Sequence, residues 1–181
     1  MVFLVRIQDI KKHFLVNFYI PKNNLNQTKP MHYQIEIEID LAREAVIQKF
    51  NNADNLKHWQ KGLLSIEHLS GEPGKQGAKS RLKYNMGKGT VEMIETITKN
   101  DLPNSFHGTY EAKGVVNIQE NYFTSLATGK TRWTSKNEFR FTNLMMKILG
   151  FLMPSVFKKQ SLVYMKAFKN FAENGFSVAN D

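Results

Sequence analysis

The chain of 181 residues contains no cysteine. Disulfides, thiolate metal ligands and a cysteine nucleophile are therefore excluded. There is also no phosphate-binding loop, nucleophilic serine motif or dinucleotide fingerprint. The histidines are few and lack the pair spacings of metal-binding motifs: His13, His32, His58, His68 and His107. The sequence therefore predicts neither a metal site nor a cofactor.

Long apolar runs are lacking too. A membrane span needs about 20 mostly apolar residues, and a secretory signal needs an unbroken apolar stretch. The apolar runs of residues 1–30 are interrupted by Arg6, Asp9, Lys11, Lys12 and His13. We expect residues 1–30 to be a weakly ordered extension, or Met31 to be the true start; an amphipathic surface anchor is a third possibility. We predict no stable membrane insertion and a cytoplasmic location, with which the lack of cysteine is compatible.

Acidic residues are outnumbered, with 16 Asp and Glu against 25 Lys and Arg and a net charge of +9. Nucleic-acid-binding proteins usually cluster basic residues on one face among aromatic side chains. Here they are spread over strand edges, turns and the last helix, where Lys158, Lys159, Lys166 and Lys169 are typical of a solvated face. The sequence therefore predicts no nucleic-acid partner, and it does not indicate the oligomeric state.

The first regular element is a strand over residues 32–40, in which Ile35, Ile37 and Ile39 alternate with charged residues. Asp40 is a suitable N-cap for a helix over 41–50. A second short helical turn ends near Trp59. The chain length suits one domain, which we place at residues 31–175, between the extension at 1–30 and a tail at 176–181.

Six further strand-like segments follow, at 63–69, 78–86, 90–98, 106–112, 115–123 and 130–141. A two-residue turn at Gly87-Lys88 would place Tyr84 opposite Val91 and Leu82 opposite Met93. In that register Glu95 lies on the apolar face. We expect the strand at 32–40 to pair with the strand at 130–141, which would bring Glu36 and Glu38 close to Arg132, Lys136 or Arg140.

The chain ends in a helical segment at 144–153 and a longer helix from Pro154 to Asn174, with Gly175 as its stop. This helix carries a mostly aromatic stripe on one face, made of Phe157, Ser161, Tyr164, Phe168 and Phe171. The last strand presents Trp133, Phe139 and Phe141 on one face. A sheet curled round such a helix tends to leave a pocket.

These elements resemble the START-like, or SRPBCC, superfamily over residues 31–175, and most closely its polyketide cyclase/dehydrase and lipid-transport branch. The resemblance rests on the Ile alternation of the first strand, Trp59 at the end of the second helix, the Gly-Glu-Pro-Gly-Lys-Gln-Gly turn at 71–77, the Gly-Lys-Thr-Arg-Trp-Thr segment at 129–134 and the final helix. It implies an α+β helix-grip fold, in which a curved antiparallel sheet of about seven strands wraps round a long C-terminal helix. It implies a pocket but no particular reaction.

The predicted ligand-binding residues lie on the apolar face of the sheet and on the helix stripe: Leu82, Tyr84, Met93, Tyr110, Asn117, Trp133, Phe139, Phe157, Tyr164 and Phe168. Glu95 is the candidate general acid or base, because burial disfavours the charged form of a carboxyl group; the alternative is that it faces water. Tyr110 is equally interpretable as ordinary core. Trp59 and Trp133 fit packing anchors as well as ligand contacts. Met145, Met146 and Met153 could form a flexible lip or simply pack on the sheet.

The sequence therefore leads to three functional hypotheses. The first is binding, as carriage or sequestration, of a small apolar ligand such as a lipid, isoprenoid or polyketide. The second is a polyketide cyclase/dehydrase-like enzyme that uses the same pocket, with Glu95 and Tyr84 or Tyr110 as its ionisable groups. The third is a protein-interaction module of the chaperone-activator kind. A cavity of about 300–1,000 Å³ would favour a ligand, and a filled core would favour the interaction module.

Overall fold

The computed structural model describes residues 30–85, 89–152 and 154–179. Most of the segment at 1–30 and the turn at Gly87-Lys88 lie outside these residues. The strands are β1 (Met31–Ile39), β2 (Leu63–Ser70), β3 (Lys79–Asn85), β4 (Thr90–Asp101), β5 (Ser105–Ala112), β6 (Val115–Ser125) and β7 (Thr131–Phe141). The helices are α1 (Arg43–Phe50), α2 (Leu56–Trp59), α3 (Leu144–Leu152) and α4 (Pro154–Asn174), with a 3₁₀ turn at Ala53–Asn55.

The strands form one antiparallel sheet of seven strands in the order β1-β7-β6-β5-β4-β3-β2. The predicted pairing of the first and last strands is confirmed, with Ile37 opposite Trp133. The predicted charge pairing is confirmed as well, because Arg132 lies 3.0 Å from Glu38 on the outer face. Such an exposed pair contributes at most about 1 kcal/mol, so it marks the register more than it stabilises the sheet.

The predicted register of the β3–β4 hairpin is also confirmed. Tyr84 pairs with Val91 and Leu82 with Met93, so that Ser80 lies opposite Glu95. Because side chains alternate along a strand, Leu82, Tyr84 and Met93 are buried on the concave face. With Tyr110 they form a small hydrophobic cluster beside the main core. The same alternation brings Glu95 to the concave side.

Helix α4 packs its aromatic stripe against the concave face of the sheet. Phe157, Tyr164 and Phe168 are buried in the main core cluster, and Phe171 is half-buried against it. The ring of Phe168 lies 5.3 Å from that of Trp133, and the ring of Phe157 lies 5.1 Å from that of Phe139. Burying each such side chain contributes about 1.5–3 kcal/mol. The helix ends as predicted, with Gly175 at a φ of 73°.

The predicted N-cap at Asp40 is wrong. Helix α1 begins at Arg43, and its cap position is Ala42, whose side chain makes no capping bond. The Asp40 carboxylate instead lies 2.7 Å from the Lys130 ammonium group, because the ends of β1 and β7 are adjacent. The hydrogen bond from Lys130 is the main reason that the pKa of Asp40 lies below its ordinary value. The Asp40 carboxylate therefore forms an ion pair with Lys130 and does not cap helix α1.

The junction between the last two helices follows the sequence. Helix α3 ends at Leu152, and α4 begins at Pro154, which cannot continue the hydrogen bonding of the preceding turn. Of the methionines proposed as a lip, Met146 is buried in the main core, while Met153 lies outside the described residues. Within the described ranges, no helix is long and apolar enough to cross a membrane.

Candidate functional site

A cavity of about 400 Å³ lies between the concave face of the sheet and the α1–α2 segment. One side is formed by Phe50, Asn51, Ala53, Asp54, Leu56, Trp59 and Gln60 of the helical segment. The other is formed by Ile66, His68, Pro73, Gly74, Ala78, Ser80, Glu95, Ile97, Phe106, Tyr110, Gln119, Asn121 and Trp133 of the sheet and its β2–β3 turn. The cavity is therefore built from the N-terminal half of the fold and the middle of the sheet, with α4 behind its aromatic wall.

Small side chains on the floor leave this space open. Ala78 and Ser80 line the cavity where larger residues would fill it. Gly108 pairs with both Ile97 and Gln119, and a Cβ at this glycine would lie 3.3 Å from the Thr96 carbonyl oxygen and 3.6 Å from the Tyr110 ring. The Tyr110 ring therefore occupies the space that a side chain at Gly108 would need.

The rim of the cavity consists of two turns. Asn51, Ala53 and Asp54 come from the connection between α1 and α2, and Pro73 and Gly74 come from the connection between β2 and β3. All of these residues are exposed, so the cavity opens to solvent between the two turns.

One wall is aromatic. The ring of Phe50 lies 5.6 Å from Trp133 and 5.8 Å from Phe106, and the rings of Trp59 and Trp133 are 6.4 Å apart in an edge-to-face arrangement. Such packed rings have few accessible rotamers, and edge-to-face contacts add stability beyond burial. The two tryptophans therefore both pack in the core and line the cavity, so the two sequence interpretations of these residues are compatible.

Glu95 and Tyr110 are neighbours across the β4–β5 pair and both line the cavity. Burial, followed by the negative charge of the neighbouring Glu95, raises the pKa of Tyr110 well above its ordinary value. Nearby, the buried Tyr84 hydroxyl donates to Oε1 of Gln60, which is itself part of the cavity wall. The cavity thus presents the Glu95 carboxylate beside the Tyr110 hydroxyl, which stays protonated.

A buried polar network supports the opposite side of the cavity. Oδ1 of Asn121 accepts hydrogen bonds from Nε1 of Trp133 at 2.9 Å and from Nε2 of Gln119 at 3.1 Å. Nδ2 of Asn121 donates to the Phe106 carbonyl oxygen at 3.2 Å, and Nε2 of Gln119 also donates to Oγ of Ser135 at 3.1 Å. These bonds fix the orientation of Trp133 and of both amides.

The sequence analysis missed Gln119, Asn121 and the rim residues. For the amides a signal was present, because the alternation of residues 115–123 puts Asn117, Gln119 and Asn121 on the face of Val115 and Phe123. The rim has no such signal. Its two turns are distant in sequence and meet only through the fold.

Of the predicted ligand-binding residues, Tyr110 and Trp133 line the cavity, and so does Glu95. The structure places the others elsewhere. Those of the helix stripe and the last strand pack in the main core, namely Phe139, Phe157, Tyr164 and Phe168. Leu82, Tyr84 and Met93 form the smaller cluster with Tyr110. Asn117 is buried and donates to Oδ1 of Asn137 at 3.3 Å. Contact of these residues with a ligand stays a prediction.

No three His, Asp or Glu side chains in the described part of the chain are grouped so as to hold a metal ion. The titratable groups of the cavity are spread over its floor and rim.

Solved structures with the same fold are numerous, although no protein-family model and no curated protein sequence matches the chain. The Zhui aromatase/cyclase from Streptomyces sp. R1128 has a TM-score of 0.68 at 12% identity, over 80% of this chain and 94% of that one. A conserved protein from Geobacillus kaustophilus has a TM-score of 0.66 at 18% identity, over 80% and 97%. Norcoclaurine synthase from Thalictrum flavum, in complex with dopamine and hydroxybenzaldehyde, has a TM-score of 0.61 at 12% identity, over 87% and 94%.

These likenesses confirm the helix-grip fold that the sequence resemblance implied. At identities of 12–18% they show the fold alone, and the function has to be argued from the cavity.

Proposed function

We propose that the protein binds a small, largely apolar ligand in the cavity between the sheet and the α1–α2 segment, and thereby carries or sequesters it. The observation that carries the proposal is the cavity itself, of about 400 Å³, walled by Phe50, Trp59, Phe106 and Trp133. Ligand sites in proteins are typically concave, about 300–1,000 Å³ in volume, and mostly apolar with a few polar groups.

The comparison structures support this proposal at the level of the fold. Norcoclaurine synthase is described with two small aromatic molecules bound, and its chain is matched over 94% of its length. The finer classes of lipid, isoprenoid and polyketide, and the cytoplasmic location, belong to the same proposal. Each of these ligand classes has an apolar body, as the aromatic wall requires.

The proposal is tested with a cavity-filling variant. In Ala78→Leu the larger side chain would occupy the floor of the cavity, since Ala78 is 3% exposed and lines it. The matched control is Lys79→Leu, which adds a leucine at the neighbouring, exposed position. The probe is N-phenyl-1-naphthylamine, an uncharged apolar dye that fluoresces more strongly in an apolar site.

We expect saturable fluorescence enhancement with the unmodified protein and with Lys79→Leu, and an affinity at least about tenfold lower with Ala78→Leu, which corresponds to about 1.4 kcal/mol. Equal binding by both variants would place the dye outside the cavity and contradict the proposal. Circular dichroism melts would establish that both variants are folded.

The position of Glu95 beside Tyr110 inside the cavity favours a second candidate function, an enzyme of the polyketide cyclase/dehydrase type. A carboxylate in contact with a bound substrate can move a proton to or from it. If the chain catalyses such a reaction, Glu95→Gln should abolish turnover of an uncharged substrate and leave its binding nearly unchanged. Turnover that persists in Glu95→Gln would exclude this role for the carboxylate.

The interaction-module hypothesis predicts a filled core. The cavity weighs against it, because a protein that acts only through its outer surface has no need of an internal space of this size. Failure of every apolar probe to bind would restore that hypothesis.

A further inference from the structure

We infer that the cavity selects ligands with a protonated amine and discriminates against carboxylates. This inference rests on the proposed function and names the charge class of the ligand. The charged residues of the cavity wall are opposite in sign to the net charge of the whole protein.

The charged residues of the cavity wall are acidic. Glu95 lies on the floor and Asp54 on the rim, while no Lys or Arg is present among the described residues that line the cavity. The remaining ionisable group that can be cationic is His68, whose Nε2–H donates to the Gly71 carbonyl oxygen at 2.9 Å. The chain as a whole carries 25 Lys and Arg against 16 Asp and Glu. An acidic cavity in a basic protein is therefore a local feature of this site.

Glu95 also differs from the outer-face carboxylates of the same sheet. Glu38 lies 3.0 Å from Arg132, Glu67 lies 2.7 Å from Arg81, and Glu92 lies 3.4 Å from Lys83. Across the described ranges, no Lys or Arg forms an ion pair with Glu95. Its cross-strand neighbour is Tyr110, which also lines the cavity. The carboxylate on the concave face thus lacks the counter-ion that its outward neighbours have.

The aromatic wall adds to the preference for a cation. Organic ammonium groups are attracted to the faces of Trp, Tyr and Phe rings within about 6 Å, and the attraction is stronger in sites from which water is excluded. Tyr110 lies beside Glu95, and Trp59 and Trp133 also line the cavity. A protonated amine at the floor would therefore gain both a counter-ion and ring contacts, while the apolar body of the ligand would occupy the aromatic end.

An anionic ligand would meet a charge of its own sign in the cavity. A carboxylate on the floor would lie close to Glu95 and leave both charges without a cation, and such like-charge contacts disfavour the charged forms. Of the ligand classes raised by the sequence, free fatty acids and other apolar carboxylates are thus the poorest match. Uncharged ligands are tolerated and amines are preferred.

Three probes of one shape test the inference: 2-(2-naphthyl)ethylamine, 2-(2-naphthyl)ethanol and 2-naphthylacetate. Their affinities for the full chain are measured by isothermal titration calorimetry at neutral pH. The variant Glu95→Gln removes the carboxylate with little change of shape. The matched control Glu92→Gln removes a carboxylate from the outer face of the same strand.

We expect the unmodified protein to bind the amine at least tenfold more tightly than the alcohol, and the alcohol more tightly than the carboxylate. In Glu95→Gln the ratio of amine to alcohol affinity should fall towards one while the affinity for the alcohol is retained. Glu92→Gln should keep the ratio of the unmodified protein.

Binding of the alcohol without preference for the amine, or the same preference in Glu95→Gln, would overturn the inference and leave the proposed function standing. Tightest binding of the carboxylate would do the same. Failure of all three probes to bind the folded protein would contradict the proposed function and the inference together.

Discussion

Asn121 takes part in most of the side-chain hydrogen bonds described for the cavity wall. It is 3% exposed, accepts from Trp133 and Gln119, and donates to the Phe106 carbonyl group. Its partners are in contact with the cavity, so the geometry of the aromatic wall depends on a single amide side chain. Buried polar groups that lose their partners cost far more free energy than the average hydrogen bond contributes.

We predict that Asn121→Ala lowers the free energy of unfolding by more than about 3 kcal/mol, because each buried group left without a partner costs about 1–3 kcal/mol. Urea denaturation followed by tryptophan fluorescence measures the change. Asn174→Ala, at the exposed end of α4, is the control and should change stability by less than about 0.5 kcal/mol. A loss below about 1 kcal/mol in Asn121→Ala would contradict the role of this amide.

We predict that His107 makes the folded protein less stable at low pH. Burial is the main reason that the pKa of His107 lies below its ordinary value of 6.5. The unfolded chain therefore binds the proton more readily than the folded one, so the stabilising contribution is present above about pH 6.5 and is lost as the pH falls below it.

We predict that His107→Gln reduces the loss of stability between about pH 7.5 and pH 5.5. Urea midpoints at the two pH values measure the effect. An unchanged pH dependence in His107→Gln would show that other groups cause the acid sensitivity.

At the scale of elements, the contact between β1 and α4 combines apolar packing with a buried polar bond. The hydroxyl groups of Tyr33 and Ser161 are 2.9 Å apart, and Ser161 is fully buried on the helix face. Burial raises the pKa of Tyr33 strongly, so its hydroxyl stays protonated. This bond holds the first strand of the sheet to the middle of the last helix.

A double-mutant cycle of Tyr33→Phe and Ser161→Ala should give a coupling energy of about 0.5–1.5 kcal/mol, the usual net contribution of one hydrogen bond. The four unfolding free energies come from urea denaturation. Strictly additive effects of the two substitutions would show that the hydroxyl groups do not interact in solution.

The elements also show what the sequence can and cannot predict. The helix at 154–174 and the β3–β4 register followed from local periodicity and a glycine turn, and both are confirmed. The N-cap prediction for Asp40 was wrong, because its partner Lys130 is distant in sequence and lies beside it only in the fold. The cavity could not be located for a similar reason. It depends on Ser80, Glu95 and Tyr110 lying side by side on three neighbouring strands, and on rim turns that local patterns do not relate.

For the whole molecule, β1 is the first strand that the structure describes. Met31 pairs with Phe139, and Ile35 and Ile39 are buried in the main core. The described domain thus includes the chain from Met31 onward.

We predict that deletion of residues 1–30 leaves a cooperatively folding domain, with a melting temperature within about 4 °C of the full chain, which corresponds to about 1 kcal/mol for a domain of this size. A thermal melt followed by circular dichroism decides it. Loss of the cooperative transition would show that residues 1–30 contribute to the core.

Native mass spectrometry of the protein purified from its own host, with Ala78→Leu prepared in the same way, shows whether the cavity holds a small molecule. We predict that the unmodified protein carries an additional small mass, and that Ala78→Leu, folded to the same extent, does not. A protein of bare mass in both preparations, or an additional mass that Ala78→Leu retains, would contradict the proposed function.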